Sequence, residues 1–329
     1  MHQQHRTVVA LSFLLALSSS TPAQDLSSIV PADSQLQDLA TGFGFTEGPA
    51  VGPQGALFFT DLGAGKIHRR DNDGTTTDFR TSSTDLANGL AFDAQGRLHA
   101  CEGGSGRLTR TETDGSITVL ANSFEEIRFN APNDLALVND GSLYFTDPFF
   151  GNANSQPQPV TGVYHLAADG TVTLVADHDR PNGTVLSPDQ SILYVTNDSP
   201  DGQGQILAYD RNGDGSLTNG RLFATAASVM DGMTIDAAGH VYATSFSFSG
   251  STGRGVWIFD SAGTNLGLIA TPQNPTNCTL AGNTLYITAG TAVYSIQLNA
   301  QGIDPNPTQV EGTGWGRLKA AWGAVLRQP

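Results

Sequence analysis

A short pattern that recurs six times constrains the fold of this chain more than any other feature of its sequence. In each copy an acidic or amide residue, usually followed by glycine, precedes a short apolar run. We call these six positions the ring residues; they are Glu47, Asn88, Asn133, Asn182, Asp231 and Asn277. Successive ring residues lie 41, 45, 49, 49 and 46 positions apart. That period is typical of four-stranded propeller blades, so the sequence predicts an all-β, six-bladed β-propeller with four-stranded blades.

The second half of each copy supports this prediction. A turn residue, most often glycine, follows the ring residue by eight positions in five copies, and the sixth copy is shorter. Each turn leads into a run rich in aromatic and β-branched residues, which has the length and composition of a strand. These runs include residues 56–60, 142–146, 192–196, 240–244 and 284–288. Residues 35–45 precede the first ring residue and are expected to supply the outer strand that closes the circle of blades.

The two ends of the chain have a different character. Arg6 precedes an apolar run over residues 8–17, and small residues follow through Ala23. This order is typical of a secretory signal, and the run is too short to span a bilayer. We therefore predict a signal peptide over residues 1–24, a propeller over 25–311 and a C-terminal extension over 312–329. The mature protein is expected to be exported, to the periplasm or the medium.

Charge and cysteine content narrow the possible partners. The chain has 31 acidic and 16 basic residues, a formal net charge of −15. Such a surface repels phosphate backbones, so nucleic acid is not expected as a partner. No stretch after the signal is long and apolar enough for a membrane span, so no membrane partner is expected either. Cys101 and Cys278 form neither a disulfide framework nor a zinc-site pattern, and the sequence leaves their pairing open.

The repeat also predicts a central metal site. The innermost strand of each blade lines the propeller channel, so residues at one register surround a common axis. Single Asn or Asp residues before Gly are often turn caps. Two carboxylates among six oxygen donors on one axis, however, repel each other unless a cation or a shared proton intervenes. Oxygen donors suit Ca²⁺ better than Zn²⁺. A second shell is expected from the strand that returns to the same end, at Asp61, Glu102, Asp147 and Asn197 or Asp198.

Two other patterns are weaker candidates for metal sites. Asp210, Asn212 and Asp214 are spaced like the start of an EF-hand loop, but the twelfth position is Arg221 where a bidentate Glu is required. A hairpin turn is therefore the better interpretation. The histidines on predicted strands have no metal-ligand spacing and are expected to be structural; they are His99, His165 and His240.

Longer motifs around the ring residues resemble a known family: gluconolactonase, senescence marker protein and luciferin-regenerating enzyme. The motifs are Phe45-Thr46-Glu47-Gly48-Pro49, Ala131-Pro132-Asn133-Asp134, Tyr144-Phe145-Thr146-Asp147-Pro148, Arg180-Pro181-Asn182-Gly183, Met230-Asp231-Gly232 and Pro275-Thr276-Asn277-Cys278. The last of these looks particularly similar to bacterial gluconolactonases. Members of this family are six-bladed propellers that use a divalent cation.

The resemblance implies a role for individual residues. It implies that Glu47, Asn133, Asn182 and Asp231 are the metal ligands and that Asp231 is the general base. It also implies that Asn133 and Arg128 contact the substrate. The expected cofactor is one divalent cation, Ca²⁺ before Zn²⁺, Mg²⁺ or Mn²⁺.

The activity implied by the resemblance is hydrolysis of a sugar lactone, similar to gluconolactone, to the aldonic acid. The cation would polarise the carbonyl, and a small-molecule lactone would be the partner. Two alternatives stay open at this point. One is a promiscuous lactonase or esterase; the other is a non-catalytic propeller whose central Ca²⁺ is structural and whose rim binds a ligand or protein.

Overall fold

The computed structural model describes residues 26–81, 85–151, 155–198, 203–226, 228–247 and 253–303. Six four-stranded antiparallel sheets and one small two-stranded sheet make up this part of the chain, and in five of the six larger sheets all neighbouring strands are consecutive in the sequence. The innermost strands of successive sheets contact one another in a closed circle. The protein is thus the six-bladed β-propeller that the repeat predicts. The predicted segments 1–24 and 312–329 lie outside the described residues.

In the first three blades the strands follow chain order from the channel outwards. Blade 1 consists of β2 (Thr46–Val51), β3 (Leu57–Asp61), β4 (Lys66–Arg70) and β5 (Thr76–Arg80), with a 3₁₀ turn at Pro53–Gly55. Blade 2 consists of β6 (Ala87–Phe92), β7 (Leu98–Glu102), β8 (Arg107–Thr111) and β9 (Ile117–Ala121). A small hairpin follows, β10 (Ser123–Phe124) and β11 (Ile127–Arg128). Blade 3 consists of β12 (Leu135–Leu137), β13 (Leu143–Asp147), β14 (Gly162–Leu166) and β15 (Val172–Asp177).

The remaining blades follow the same plan. Blade 4 consists of β16 (Pro181–Leu186), β17 (Ile192–Asp198), β18 (Gly204–Arg211) and β19 (Leu217–Ala226). Blade 5 consists of β20 (Val229–Ile235), β21 (Val241–Phe246), β22 (Gly255–Phe259) and β23 (Asn265–Ala270). Blade 6 consists of β24 (Pro275–Ala281), β25 (Thr284–Ala289), β26 (Ala292–Gln297) and, outermost, β1 (Gln37–Thr41).

The circle of blades is closed by the strand that precedes the first ring residue. Strand β1 pairs antiparallel with β26, with Asp38 opposite Tyr294. The last blade therefore combines three strands from the end of the propeller with one from its beginning. This confirms the closing role predicted for the region 35–45. None of the helical segments in the described ranges is long and apolar enough to cross a membrane.

The apolar core is divided into layers that lie between adjacent blades. Tyr242 of blade 5 packs with Leu285 of blade 6 in one layer, and Phe145 of blade 3 packs with Leu108 of blade 2 in another. All four side chains are at most 1% exposed. Because each sheet is apolar on both faces, a blade is stable only between two neighbours, as expected for radial repeats.

Hydrogen bonds between blades hold the main chain around the channel. At five of the six junctions a buried threonine hydroxyl donates to a carbonyl of the next blade, at a ring residue or the residue before it. These pairs are Thr60 with Asn88 (3.2 Å), Thr146 with Asn182 (2.6 Å), Thr196 with Asp231 (2.7 Å), Thr244 with Thr276 (3.0 Å) and Thr276 with Thr46 (2.7 Å). Between blades 2 and 3, where Cys101 occupies the threonine position, the N–H of Gly89 donates to the carbonyl of Asn133 at 2.7 Å.

Several weaker sequence candidates have structural roles. His99 and His240 pair with the buried or half-buried carboxylates of Asp93 (3.1 Å) and Asp236 (2.7 Å). His165 packs against an aromatic side chain. These contacts fit the structural role that the sequence predicts for the strand histidines.

The EF-hand-like stretch and the cysteines are also structural. Asn212 N–H donates to the Ser216 carbonyl at 2.9 Å, and the carboxylate of Asp214 accepts from the N–H of Ser216. This closes the turn between β18 and β19, so the hairpin interpretation is confirmed. Cys101 and Cys278 are both buried free thiols, which answers the question of their pairing.

The junction between blades 4 and 5 provides a test of the inter-blade hydrogen bonds. Thr196→Val keeps the side-chain shape but leaves the carbonyl of Asp231 and the N–H of Gly183 without the hydroxyl that each now contacts at 2.7 Å. We expect the free energy of unfolding to fall by about 2 kcal/mol, since each unsatisfied buried group costs about 1–3 kcal/mol. Denaturant unfolding measures this loss. Thr77→Val, on the exposed face of β5, is the control and should change stability by less than about 0.5 kcal/mol; equal losses would contradict the prediction.

Candidate functional site

A β-bulge coincides with nearly every ring residue. In blade 1, Glu47 lies opposite Thr60 and Ala50 lies opposite Phe58, so β2 has one residue more than β3 between the two pairs. The innermost strands of blades 2, 4, 5 and 6 have one extra residue at the same place. In blade 3 regular pairing begins only after Asn133 and its neighbour, at Leu135. Bulges redirect side chains and are common next to active sites. In this propeller they interrupt the in-and-out alternation of the innermost strand at the ring positions, where the sequence predicts channel-facing side chains.

The glycine after the ring residue is required by the neighbouring blade. Gly48 has a left-handed backbone (φ 46°), and a Cβ there would overlap the carbonyl of Asn88 in blade 2. A Cβ on Gly232 of blade 5 would overlap the side chain of Asn277 in blade 6. The glycine of the repeat therefore allows consecutive ring residues to approach closely, which accounts for its recurrence in the sequence.

The predicted metal ligands differ in how far they are exposed. Glu47 and Asn182 are buried, at 4% and 8% exposure, whereas Asn133 and Asp231 are half-buried. The two buried donors are thus suited to holding an ion. The two half-buried donors remain accessible to a molecule that enters the channel.

Two buried carboxylates and the half-buried Asp231 influence one another electrostatically. Burial raises the pKa of Glu47 well above its ordinary value, and the negative charge of Asp231, followed by that of Asp134, raises it further. The N–H of Gly48 donates to the Glu47 carboxylate at 3.1 Å and acts in the opposite direction. Blades 1, 3 and 5 each contribute one of these acids, so like charges face one another across alternate blades. A cation between them would relieve this repulsion.

Asp134 is a member of the site that the sequence analysis missed. It is buried and accepts hydrogen bonds from the N–H groups of Leu135 (2.9 Å) and Thr184 (3.2 Å). Burial raises its pKa to about 6, while these two donors and the side chain of Asn277 lower it. Asp134 occupies the position after the ring residue, where four other blades have glycine. That departure from the repeat was the signal that could have identified it.

Two of the predicted second-shell carboxylates support the backbone just before ring residues. Asp61 in blade 1 and Asp147 in blade 3 each accept from two successive main-chain N–H groups, two and three residues before Glu47 and Asn133. The donors are Gly44 and Phe45 for Asp61 (both 2.9 Å), and Asn130 and Ala131 for Asp147 (2.8 and 2.7 Å). Burial raises the pKa of Asp147 to about 7. These two carboxylates thus hold the main chain that leads into the innermost strand, and their oxygens accept main-chain hydrogen bonds.

The other two blades with predicted second-shell residues use different contacts. The side chain of Asn197 accepts from the N–H of Arg180 at 3.2 Å, again two residues before a ring residue. Glu102 instead forms buried ion pairs with Arg80 (2.5 Å) and Arg107 (2.6 Å). In blade 2 the corresponding carboxylate, Glu102, therefore takes part in a salt-bridge network that includes an arginine of blade 1 and an arginine of blade 2.

The structure places Arg128 in a main-chain clamp. Its Nε and Nη atoms donate to five carbonyls on two segments, residues 103–105 and residues 129–130. A guanidinium has five N–H groups, so the donors of Arg128 are matched one for one. The clamp joins the β7–β8 connection of blade 2 to the segment that leads to Asn133. Its predicted contact with substrate stays a prediction.

The donor set fits a hard cation. Within the described ranges no three His, Cys, Asp or Glu side chains are grouped so as to hold a metal ion. A cation in the channel would therefore need amide oxygens besides the carboxylates. The ring residues supply both, and every donor is an oxygen, which favours Ca²⁺ or a similar hard ion.

Comparisons with known proteins agree with this architecture. Residues 45–291 match the family model described as SMP-30/gluconolactonase/LRE-like region. A gluconolactonase structure from Xanthomonas campestris is 34% identical, with a TM-score of 0.75 over 83% of this chain and 92% of that one. A calcium-binding regucalcin from Agrobacterium tumefaciens has the same fold at 18% identity, with a TM-score of 0.66 over 80% of this chain and 94% of that one.

A curated relative gives the same result over part of its length. The gluconolactonase of Zymomonas mobilis is 34% identical over 204 residues, which cover 56% of this chain and 55% of that protein. A lactonohydrolase of Aspergillus oryzae is 28% identical over 51% of this chain and 40% of that protein. The chain thus spans about half the length of the curated relatives that it matches.

The convergence of carboxylates predicts a pH dependence for the metal-free protein. Because the pKa of Glu47 is raised by folding, its contribution to stability is complete below its unfolded pKa and is lost as pH rises through the folded value. We expect thermal stability in chelator to fall as the pH rises above the ordinary pKa of a glutamate, and Glu47→Gln to remove most of that fall.

The control is Glu125→Gln, at an exposed carboxylate in the turn between β10 and β11. It should leave the pH dependence unchanged. A Glu47→Gln protein that loses as much stability with rising pH as the unmodified chain would show that repulsion at Glu47 is not the cause.

Proposed function

Because the chain belongs to the SMP-30/gluconolactonase/LRE-like family, we propose that it hydrolyses a lactone of the sugar-lactone type to the open hydroxy acid. Two observations beyond family membership support this proposal. Glu47 and Asp231 face each other closely enough for the charge of one to raise the pKa of the other. Asp231 is also half-buried rather than enclosed, which leaves it accessible to water and substrate. The assignment of Asp231 as the general base rests on the resemblance of its motif to the family, and the second observation is compatible with that role.

We propose that Glu47, Asn133, Asn182 and Asp231 hold one divalent cation, Ca²⁺ being the ion best suited to the donors. When bound, the cation supplies positive charge that stabilises the negative charge developing on the lactone carbonyl oxygen. The buried pair, Glu47 and Asn182, would anchor it. Asn133, which is half-buried, would also orient the substrate or the attacking water.

The chemical step requires one proton acceptor and one donor. Asp231 would take a proton from water as the water oxygen bonds to the carbonyl carbon. The bond from that carbon to the lactone ring oxygen then breaks, and the same proton passes to the departing oxygen. The products are a carboxylic acid and an alcohol on one molecule. The inter-blade hydrogen bond to the carbonyl of Asp231 keeps the base in place during both transfers.

Asp231→Asn tests the role of the base. An amide cannot accept the proton of water, so we expect kcat on glucono-1,5-lactone to fall by about 10²–10⁴-fold, while the circular dichroism spectrum stays unchanged. Acid release followed at constant pH, corrected for spontaneous hydrolysis, measures the rate. Asp38→Asn, on the exposed strand β1, is the matched control and should keep full activity. Unchanged turnover in Asp231→Asn would remove this residue from the mechanism.

Removal of the cation separates the enzyme from a non-catalytic propeller. We expect a chelator to abolish lactone hydrolysis and to lower the melting temperature, and Ca²⁺ to restore both. A cation at 100 times its Kd stabilises the folded state by about 2.7 kcal/mol. Calorimetric titration of the stripped protein with Ca²⁺ gives the stoichiometry, for which we expect one ion. Restored stability without any lactone hydrolysis would identify the metal as structural only and overturn the proposed activity.

A further inference from the structure

Exposed apolar side chains collect at one end of the channel. Four of them lie at the end where the innermost strands begin, three on connections between strands and one, Ile127, on the short strand β11. We call these four the apolar rim: Phe45 (36% exposed), Leu86 (50%), Ile127 (41%) and Phe150 (52%). All four precede or belong to blades 1 to 3. Exposed apolar groups gathered around a concave site often mark the binding surface of a ligand.

Two members of the rim occupy the same position in the repeat. Phe45 and Leu86 each lie two residues before a ring residue, Glu47 and Asn88. With a strand rise of about 3.3 Å per residue, this position is about 7 Å above the ring residues along the channel. A molecule whose carbonyl reached the ring residues would therefore bring a substituent to the level of these side chains.

Leu86 carries the strongest evidence that the rim is functional. Its φ is 56°, in the left-handed region that bulky L-residues rarely adopt and that Asn or Gly tolerates. It is also half-exposed to water. Leucine at this position thus lowers the stability of the fold in two ways, through its left-handed backbone and through its exposed apolar surface. Asparagine would avoid both. Strain of this kind is concentrated at binding and catalytic sites.

The opposite side of the entrance is polar. Blade 4 lies across the channel from blade 1, and its residue two positions before the ring is Arg180. This side chain is exposed and makes no hydrogen bond or ion pair with the residues that the structure describes. Arg128, by contrast, has all its donors engaged. Among the described residues, the entrance thus has exposed apolar side chains beside the exposed carboxylates of Asp85, Glu125 and Glu126 on the side of blades 1 to 3, and an exposed guanidinium on blade 4.

We propose that the preferred substrate is a lactone whose ring carries an apolar substituent. The substituent lies on the apolar rim, and the oxygen atoms of the lactone point towards the ring residues and Arg180. A sugar lactone without such a substituent would not cover the apolar rim, so the rim would add nothing to its binding. This inference rests on the proposed lactone hydrolysis and specifies the substrate class.

A matched pair of substrates isolates the contribution of the substituent. δ-Valerolactone and δ-decalactone share one lactone ring, and the second adds a five-carbon chain. We expect kcat/KM for δ-decalactone to exceed that for δ-valerolactone by at least roughly 10-fold, since even one methylene in an apolar pocket contributes about that much. Glucono-1,5-lactone is assayed alongside. The rates are measured with Ca²⁺ present and corrected for spontaneous hydrolysis.

Leu86→Asn tests the rim without weakening the fold. Asparagine tolerates the left-handed backbone, so we expect an equal or higher melting temperature. At the same time the ratio of kcat/KM for δ-decalactone to kcat/KM for δ-valerolactone should fall roughly 10-fold. Leu222→Asn, at a 57% exposed leucine on the outer strand β19, is the matched control and should preserve the preference.

The outcomes separate this inference from the proposed function. Hydrolysis of glucono-1,5-lactone and δ-valerolactone with no gain for δ-decalactone would overturn the apolar rim and leave the proposed activity standing. Equal effects of Leu86→Asn on both δ-lactones would also overturn it. No hydrolysis of any lactone would overturn both. A chain-length preference that Leu86→Asn removes and Leu222→Asn keeps supports the proposal.

Discussion

Hydrogen bonds between blades fix the main chain of the central site, and the rest of the site depends on them. At each junction a carbonyl at or next to a ring residue accepts a hydrogen bond from the preceding blade, through a buried threonine hydroxyl or, once, a main-chain N–H. The backbone is therefore satisfied without help from the ring side chains. Their oxygens can face the channel as donors, and their positions are set before any ligand arrives. Preorganisation of this kind is what metal binding and acid–base chemistry both require.

The same arrangement brings like charges together in the metal-free protein, which lowers its stability. Glu47, Asp134 and Asp231 lie on alternate blades; burial raises the pKa values of the first two, and mutual repulsion raises that of Glu47 further. A fold selected for stability alone would place uncharged residues at these positions, because buried charges without partners are destabilising. Under the proposed function, the bound cation would offset this loss of stability. Strain at Leu86 is a second, smaller loss of stability, at the entrance.

The architecture could be predicted from the sequence because each copy of the repeat corresponds to one blade. Six ring residues at a regular period specify six blades, and the strand before the first copy had to close the circle. The missed features depend on contacts between copies. The threonines, four near the ends of second strands and Thr276 on an innermost strand, are visible in the sequence, but the carbonyls that they contact lie in the next blade. Asp134 replaces the glycine of the repeat, which is visible in the sequence, but its burial and its contacts with blades 4 and 6 are not. The donors of Arg128 are occupied by loops whose path no periodicity describes.

Closure by β1 has a consequence for how the site comes into existence. The contact between Thr276 and Thr46 joins residues 230 positions apart, and β1 must wait for β26 before it has a partner. Such non-local pairing slows folding, because the loop-closure entropy is lost before the contacts form. Glu47 of the first blade and Asp231 of the fifth face each other only in the closed circle. A chain that stopped folding before its last blade formed would have several of the oxygen donors but no closed channel to bring them together. Cation binding would therefore require the complete propeller.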